Sequence, residues 1–175
     1  FWPYESIKEL CKILLEQGEI EKVKAIANSA EKKDRTGIVK ILILHLLKGN
    51  NKNEAFKAMN TYFPDKTDQA SLVDAIVPVL LDQGEVNYAI ELAHDIINDV
   101  YKVSAITAVC KHLTLNGKTE EAIEQAYKLE AKNYLGEHSF ENIAKVLAAM
   151  SVVLMKQGNN NEAIRISKLF EPLSC

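Results

Sequence analysis

The chain has 175 residues, 47% of them hydrophobic and 26% charged, with a formal net charge of −3. That length can bury a real core as one domain, and the acidic balance excludes a general nucleic-acid binder, which needs a basic face to displace counterions. No signal peptide is visible and no apolar run reaches the roughly 18 residues of a membrane span; the longest candidate, Ile38 to Leu47, is interrupted by Lys40 and His45.

In chain order, helical periodicity predicts a first helix over about 4–17, a tight turn at Gly18, and a second helix over about 19–33. The same alternation recurs. Long helices are expected near 36–49, 69–83, 101–116 and 139–157, and shorter partners near 53–63, 86–98, 119–132 and 160–170. Pro64 should end the second helix of the second pair, Thr119 and Ser139 read as N-caps, and Pro78 should kink the helix that contains it. No sustained period-two alternation suggests a strand. With only seven Gly and four Pro, long loops are not expected, apart from an insertion at Asn133 to His138.

The alternation is a repeat. Leu14-Leu15-Glu16-Gln17-Gly18, Leu80-Leu81-Asp82-Gln83-Gly84, Leu113-Thr114-Leu115-Asn116-Gly117 and Leu154-Met155-Lys156-Gln157-Gly158 share one helix-ending pattern. In a fifth copy, Leu46-Leu47-Lys48-Gly49-Asn50, it is Asn50 rather than Gly49 that aligns with the other glycines. The position calls for the left-handed conformation just past a helix, which Gly adopts freely and Asn next best. The anchors at 18, 50, 84, 117 and 158 are 32, 34, 33 and 41 residues apart.

Five residues after each anchor stand Val23, Ala55, Ala89, Ala122 and Ala163. Nine after stand the mostly small Ala27, Met59, Ala93, Ala126 and Ser167, which would let two helices approach closely. Twelve after stand Ala30, Tyr62, Ile96, Leu129 and Phe170, expected on the same helical face as core filler.

This pattern resembles the tetratricopeptide-repeat superfamily in its turn glycines Gly18, Gly84, Gly117 and Gly158, its alanines Ala55, Ala89, Ala122 and Ala163, and its period near 34. It departs in the residue twelve after the turn, which is large in four of five copies, and in lacking the family's first-helix Trp and Tyr. The resemblance implies an all-α fold: a right-handed α-solenoid of about five antiparallel helix-turn-helix repeats. They would form one domain over 1–175, with repeats near 4–34, 35–67, 68–99, 100–132 and 139–171. The RNA-binding pentatricopeptide relatives share the period, but the net charge of −3 argues against that use.

In this superfamily the first helices line a concave groove that binds peptides. Its groove positions carry over to Glu5, Lys8 and Lys12, then Lys40, then Ser71 and Asp74, then Ser104, Thr107 and Lys111, then Lys145. Lysines there would attract a carboxylate or an acidic peptide; lysines on a helix also face water as a matter of course. The carboxylate clamp of chaperone-tail binders is not reproduced, since Lys12 and Ile41 stand where its two Asn belong.

No enzyme chemistry is expected. Among His45, His94, His112 and His138 no pair has the spacing of a helical metal site, and neither a Gly-rich phosphate loop nor a nucleophile elbow occurs. The implied cofactor set is empty. Cys11, Cys110 and Cys175 form no disulfide or zinc pattern and read as buried hydrophobes, or a free thiol at 175, in a cytoplasmic setting.

The expected function is a protein-interaction scaffold that binds a partner peptide or protein segment, without nucleic acid or membrane. Two other surfaces are candidates: the 132–139 loop, and the stretch 51–100, which holds nine acidic and three basic side chains. The rival expectation is a structural or regulatory segment of a larger chain. The start at Phe1 and the aromatic opening Phe1-Trp2-Pro3-Tyr4, which would favour cover from a preceding element, point that way.

Overall fold

The computed structural model describes residues 4–129 and 139–170. These residues form ten α-helices and no strand. In order they are α1 (Tyr4–Glu16), α2 (Ile20–Ser29), α3 (Lys32–Lys48), α4 (Lys52–Tyr62), α5 (Lys66–Asp82), α6 (Val86–Asp95), α7 (Asp99–Leu115), α8 (Thr119–Tyr127), α9 (Ser139–Lys156) and α10 (Asn160–Ser167), closed by a short 3-10 turn at Lys168–Phe170.

The five anchors behave alike. Gly18, Gly84, Gly117 and Gly158 have φ between 75° and 78°, and Asn50 is the one non-glycine with positive φ among the described residues, at 57°. Each anchor N–H reaches back to the residue three before it, and the next N–H reaches the Leu carbonyl five before, as in Lys118 N to Leu113 O at 2.9 Å and Asn51 N to Leu46 O at 2.8 Å. This is the Schellman closure, which satisfies carbonyls that a helix end otherwise leaves orphaned. The residue after each anchor is also the N-cap of the following helix, with φ between −98° and −82° and ψ between 50° and 63°. One helix therefore reverses into the next within three residues.

The side chain five after each anchor is buried in all five repeats: Val23, Ala55, Ala89, Ala122 and Ala163. Ala27, Met59, Ala93 and Ala126, nine after, are buried too, while Ser167 is half-buried. The residues twelve after depart from expectation. Ile96 and Leu129 are buried, but Ala30 and Tyr62 only half so, and Ala30, Ile96 and Leu129 lie beyond the ends of their helices. The burial of Phe170 lies outside the described residues.

The second helices other than α4 are shorter than the periodicity suggests, and the early end of α2 has a tertiary cause. The Arg35 guanidinium, on α3, donates to the carbonyls of Ala27 (3.1 Å) and Ala30 (2.9 Å) and takes over the free end of α2. Thr119 is not an N-cap. Lys118 takes that place, without a side-chain bond, because the reverse turn at Gly117 already sets its backbone. Ser139 opens α9, its side chain outside the described residues. Tyr62 ends α4 ahead of Pro64, as expected, and Pro78 is exposed inside an unbroken α5. The 132–139 insertion, the opening aromatics and Cys175 fall largely or wholly outside the described residues.

Two compact units emerge, Phe1–Leu72 and Val73–Cys175, divided inside α5. In the first, α3 packs on α1, α2 and α4. In the second, α7 packs on α6 and α8, and α9 packs on α7, α8 and α10. Adjacent second helices are tied by polar bonds: Tyr62 donates to the Lys24 carbonyl at 3.4 Å in the first unit, and His94 Nε2 meets Gln125 Oε1 at 3.0 Å in the second.

Cys11 and Cys110 are fully buried free thiols. Cys110 Sγ donates to the Ala122 carbonyl at 3.2 Å, locking α7 to α8, and burial pushes its thiol up to about 12. At pH 8 native Cys110 is expected to react with iodoacetamide on the order of a thousandfold more slowly than an ordinary thiol, since the thiolate is the nucleophile. Mass spectrometry of the tryptic peptide, with and without urea, checks this; fast labelling of native Cys110 would contradict its enclosure.

Candidate partner-binding face

The sequence placed ten groove positions on the first helices, and the structure puts them at the surface in two groups. In the first unit Glu5, Lys8 and Lys12 lie on α1, and Lys40 on the adjoining α3, half-buried like Lys8. Ser71, on the part of α5 in this unit, is half-buried. In the second unit Asp74 lies half-buried on α5, Ser104, Thr107 and Lys111 lie on α7, and Lys145 lies on the adjoining α9.

Three of the five lysines have a glutamate on their own helix. Lys8 meets Glu5 at 2.9 Å, Lys12 meets Glu9 at 3.1 Å and Lys145 meets Glu141 at 2.8 Å. Exposed pairs of this kind hold with little free energy, so an incoming carboxylate can displace them. Lys40 and Lys111 have no ion pair among the described residues. The Thr107 hydroxyl donates to the Val103 carbonyl at 2.6 Å, which turns it back toward its own helix.

The second unit carries a recess on this face. Between the first turns of α7 and α9 lies a cavity of about 480 Å³ lined by Asp99, Val100, Val103, Ser104, Glu141, Asn142 and Lys145. Its α7 wall is set by Asn98, whose side chain accepts from the N–H groups of Val100 (3.1 Å) and Tyr101 (3.3 Å). That cap fixes where the helix starts and so where Val100, 76% exposed, projects. Of the candidate residues the recess joins Ser104 and Lys145, while Thr107 and Lys111 lie further along α7 and are not part of its lining. A wall with two valines, a hydroxyl, an amide, the carboxylates of Asp99 and Glu141 and one lysine, itself paired with Glu141, can hold an apolar side chain and offers both donors and acceptors at its rim.

No family model, curated protein or solved structure matches this chain.

The sequence missed Asp99, Val100, Val103, Glu141 and Asn142 as recess lining. The signal available was Val100 beside Tyr101 in the first turn of a helix, a place where polar residues are usual. A second cavity, about 540 Å³, opens between the α7–α8 and α9–α10 turns, with Glu120, Glu121, Glu162, Lys118 and Gln157 among its walls. Arg165 bridges Glu120 and Glu162 there, and its guanidinium holds the Glu162 carboxyl below the usual range. Among the described residues no helix is long and apolar enough to cross a membrane.

Proposed function

We propose that this chain is a protein-interaction scaffold. Its repeats stack in the manner of a tetratricopeptide-like solenoid, and the first-helix face takes up an extended segment of a partner protein. The observation that carries this reading is the α7–α9 recess, where two successive first helices lie side by side and set Ser104 and Lys145 around exposed Val100. Repeated helices present such a face as a rigid surface already in its binding shape, so little ordering entropy opposes the partner. Recognition then needs an apolar anchor in the recess and an acidic group near Lys145 or Lys111.

A random peptide library selected on the chain, followed by fluorescence anisotropy of the enriched peptide, tests this. Lys145→Glu and Ser104→Trp, one reversing the charge and one filling the recess, are each expected to weaken binding by about tenfold. Lys118→Glu, at the second cavity, should leave it unchanged. Equal binding by the parent and both recess variants would remove this face as the site.

A further inference from the structure

We propose that Asn116 is a site of deamidation through a succinimide, held off by the closed turn after α7, and that the modified chain cannot close that turn again as before. The residue in front of each anchor sets the fourth repeat apart. Gln17, Gln83 and Gln157 precede the glycines of the first, third and fifth repeats, and Gly49 precedes Asn50, so Asn116-Gly117 is the only Asn-Gly step in the chain. In that step the backbone nitrogen of Gly117 can attack the Asn116 side-chain amide with least hindrance, because no Cβ stands beside the nitrogen. Gln, longer by a methylene, would have to close a larger ring.

The step involves no oxidation or reduction. Hydroxide takes the Gly117 amide proton, the nitrogen bonds to Asn116 Cγ, and the bond from Cγ to Nδ2 breaks. Nδ2 leaves as ammonia after taking a proton from water. Water then opens the ring on one side of the shared nitrogen. Cleavage of its bond to Cγ leaves Asp at 116. Cleavage of its bond to the backbone carbonyl leaves isoaspartate, in which the main chain runs through Cγ and gains a carbon.

The fold exposes the reactants but keeps them apart. Asn116 and Gly117 are exposed, and a Cβ at Gly117 would meet nothing within 4 Å, so water reaches them. Asn116, however, has ψ of 15°. That angle nearly eclipses Gly117 N with the backbone nitrogen of Asn116, whereas ring closure needs it alongside Cβ. The Gly117 N–H donates to the Thr114 carbonyl at 3.1 Å, and Asn116 Nδ2 donates to the His112 carbonyl at 2.8 Å. Nucleophile and leaving group are thus both tied to the last turn of α7, and attack waits on local opening of that turn.

Either product fits the turn worse. A carboxylate at 116 replaces the donor to the His112 carbonyl with an anion, at a helix end whose carbonyls already carry negative partial charge. Isoaspartate adds a main-chain atom inside the loop that Lys118 N and Leu113 O close at 2.9 Å, so the bonds made by Gly117 and Lys118 cannot both keep their geometry.

Incubation of the full chain at mildly alkaline pH, in buffer and in guanidinium chloride, tests the proposal by mass spectrometry of the tryptic peptide 112–118. The mass gain of an amide becoming an acid should appear at 116 in denaturant, and at least about tenfold more slowly in buffer. Gly117→Ala should slow it by about tenfold in denaturant, where folding plays no part, because a Cβ then crowds the nitrogen. Asn116→Gln should abolish it and keep the parent's helical circular dichroism. Chain modified in denaturant and then refolded should unfold at a lower urea midpoint than the Asn116→Gln chain treated in the same way. No gain at 116 in denaturant, equal rates with and without denaturant, or an unchanged midpoint after modification would each overturn the proposal.

Discussion

Leu113→Ala is expected to destabilise the chain by about 2–5 kcal/mol and to lower Tm by roughly 5–20 °C. Leu113 is 1% exposed, and its carbonyl accepts the Lys118 N–H that closes the turn after α7. Removing its side chain leaves a void inside the second unit that flanking helices cannot fill without giving up the fixed reverse turn. Leu14 occupies the same column of the first repeat and makes the same turn bond through its carbonyl, but is only half-buried. Leu14→Ala should therefore cost less than half as much. Thermal and urea unfolding followed by circular dichroism measure both. Equal losses at the two positions would mean that this column is not covered by the repeat before it.

The parts of the fold legible in the sequence are those whose chemistry is local. A left-handed residue after a helix selects Gly or Asn whatever surrounds it, so the anchors could be placed from type and spacing, Asn50 included. A side chain wedged between two helices must be small or well shaped, so the column of Val23, Ala55, Ala89, Ala122 and Ala163 was readable too. The end of α2 was not, because Arg35 supplies the cap from the next helix and nothing in residues 20–30 announces it. Lys118 displaced Thr119 as N-cap for a related reason: a turn set by hydrogen bonds overrides side-chain capping preference. For the candidate face, the groove positions implied by the superfamily resemblance include Ser104 and Lys145, which both line the recess. Register could not show that Glu5, Glu9 and Glu141 would meet Lys8, Lys12 and Lys145, since opposite charges three or four residues apart also occur on faces that bind nothing.

Two glycines that look alike in the sequence are expected to respond with opposite sign. Gly117 has φ of +75°, and a Cβ there would meet nothing within 4 Å. Space is not the constraint; the left-handed backbone is. Gly117→Val forces a β-branched residue into that region and is expected to cost about 2–3 kcal/mol, while Gly117→Asn should cost well under about 1 kcal/mol, since Asn tolerates the conformation. Gly49 stands one residue before its anchor, with φ of −80° and ψ of 11°, and a Cβ there would touch the His45 and Leu46 carbonyls at an ordinary 3.6 Å. Its conformation suits any L residue, so Gly49→Ala should stabilise by about 0.4–1 kcal/mol, chiefly by restricting the unfolded chain. Urea midpoints of the three variants decide the matter. Should Gly49→Ala destabilise as Gly117→Val does, Gly49 rather than Asn50 would be the residue the turn depends on, and the alignment of the second repeat with the other four would have to move by one position.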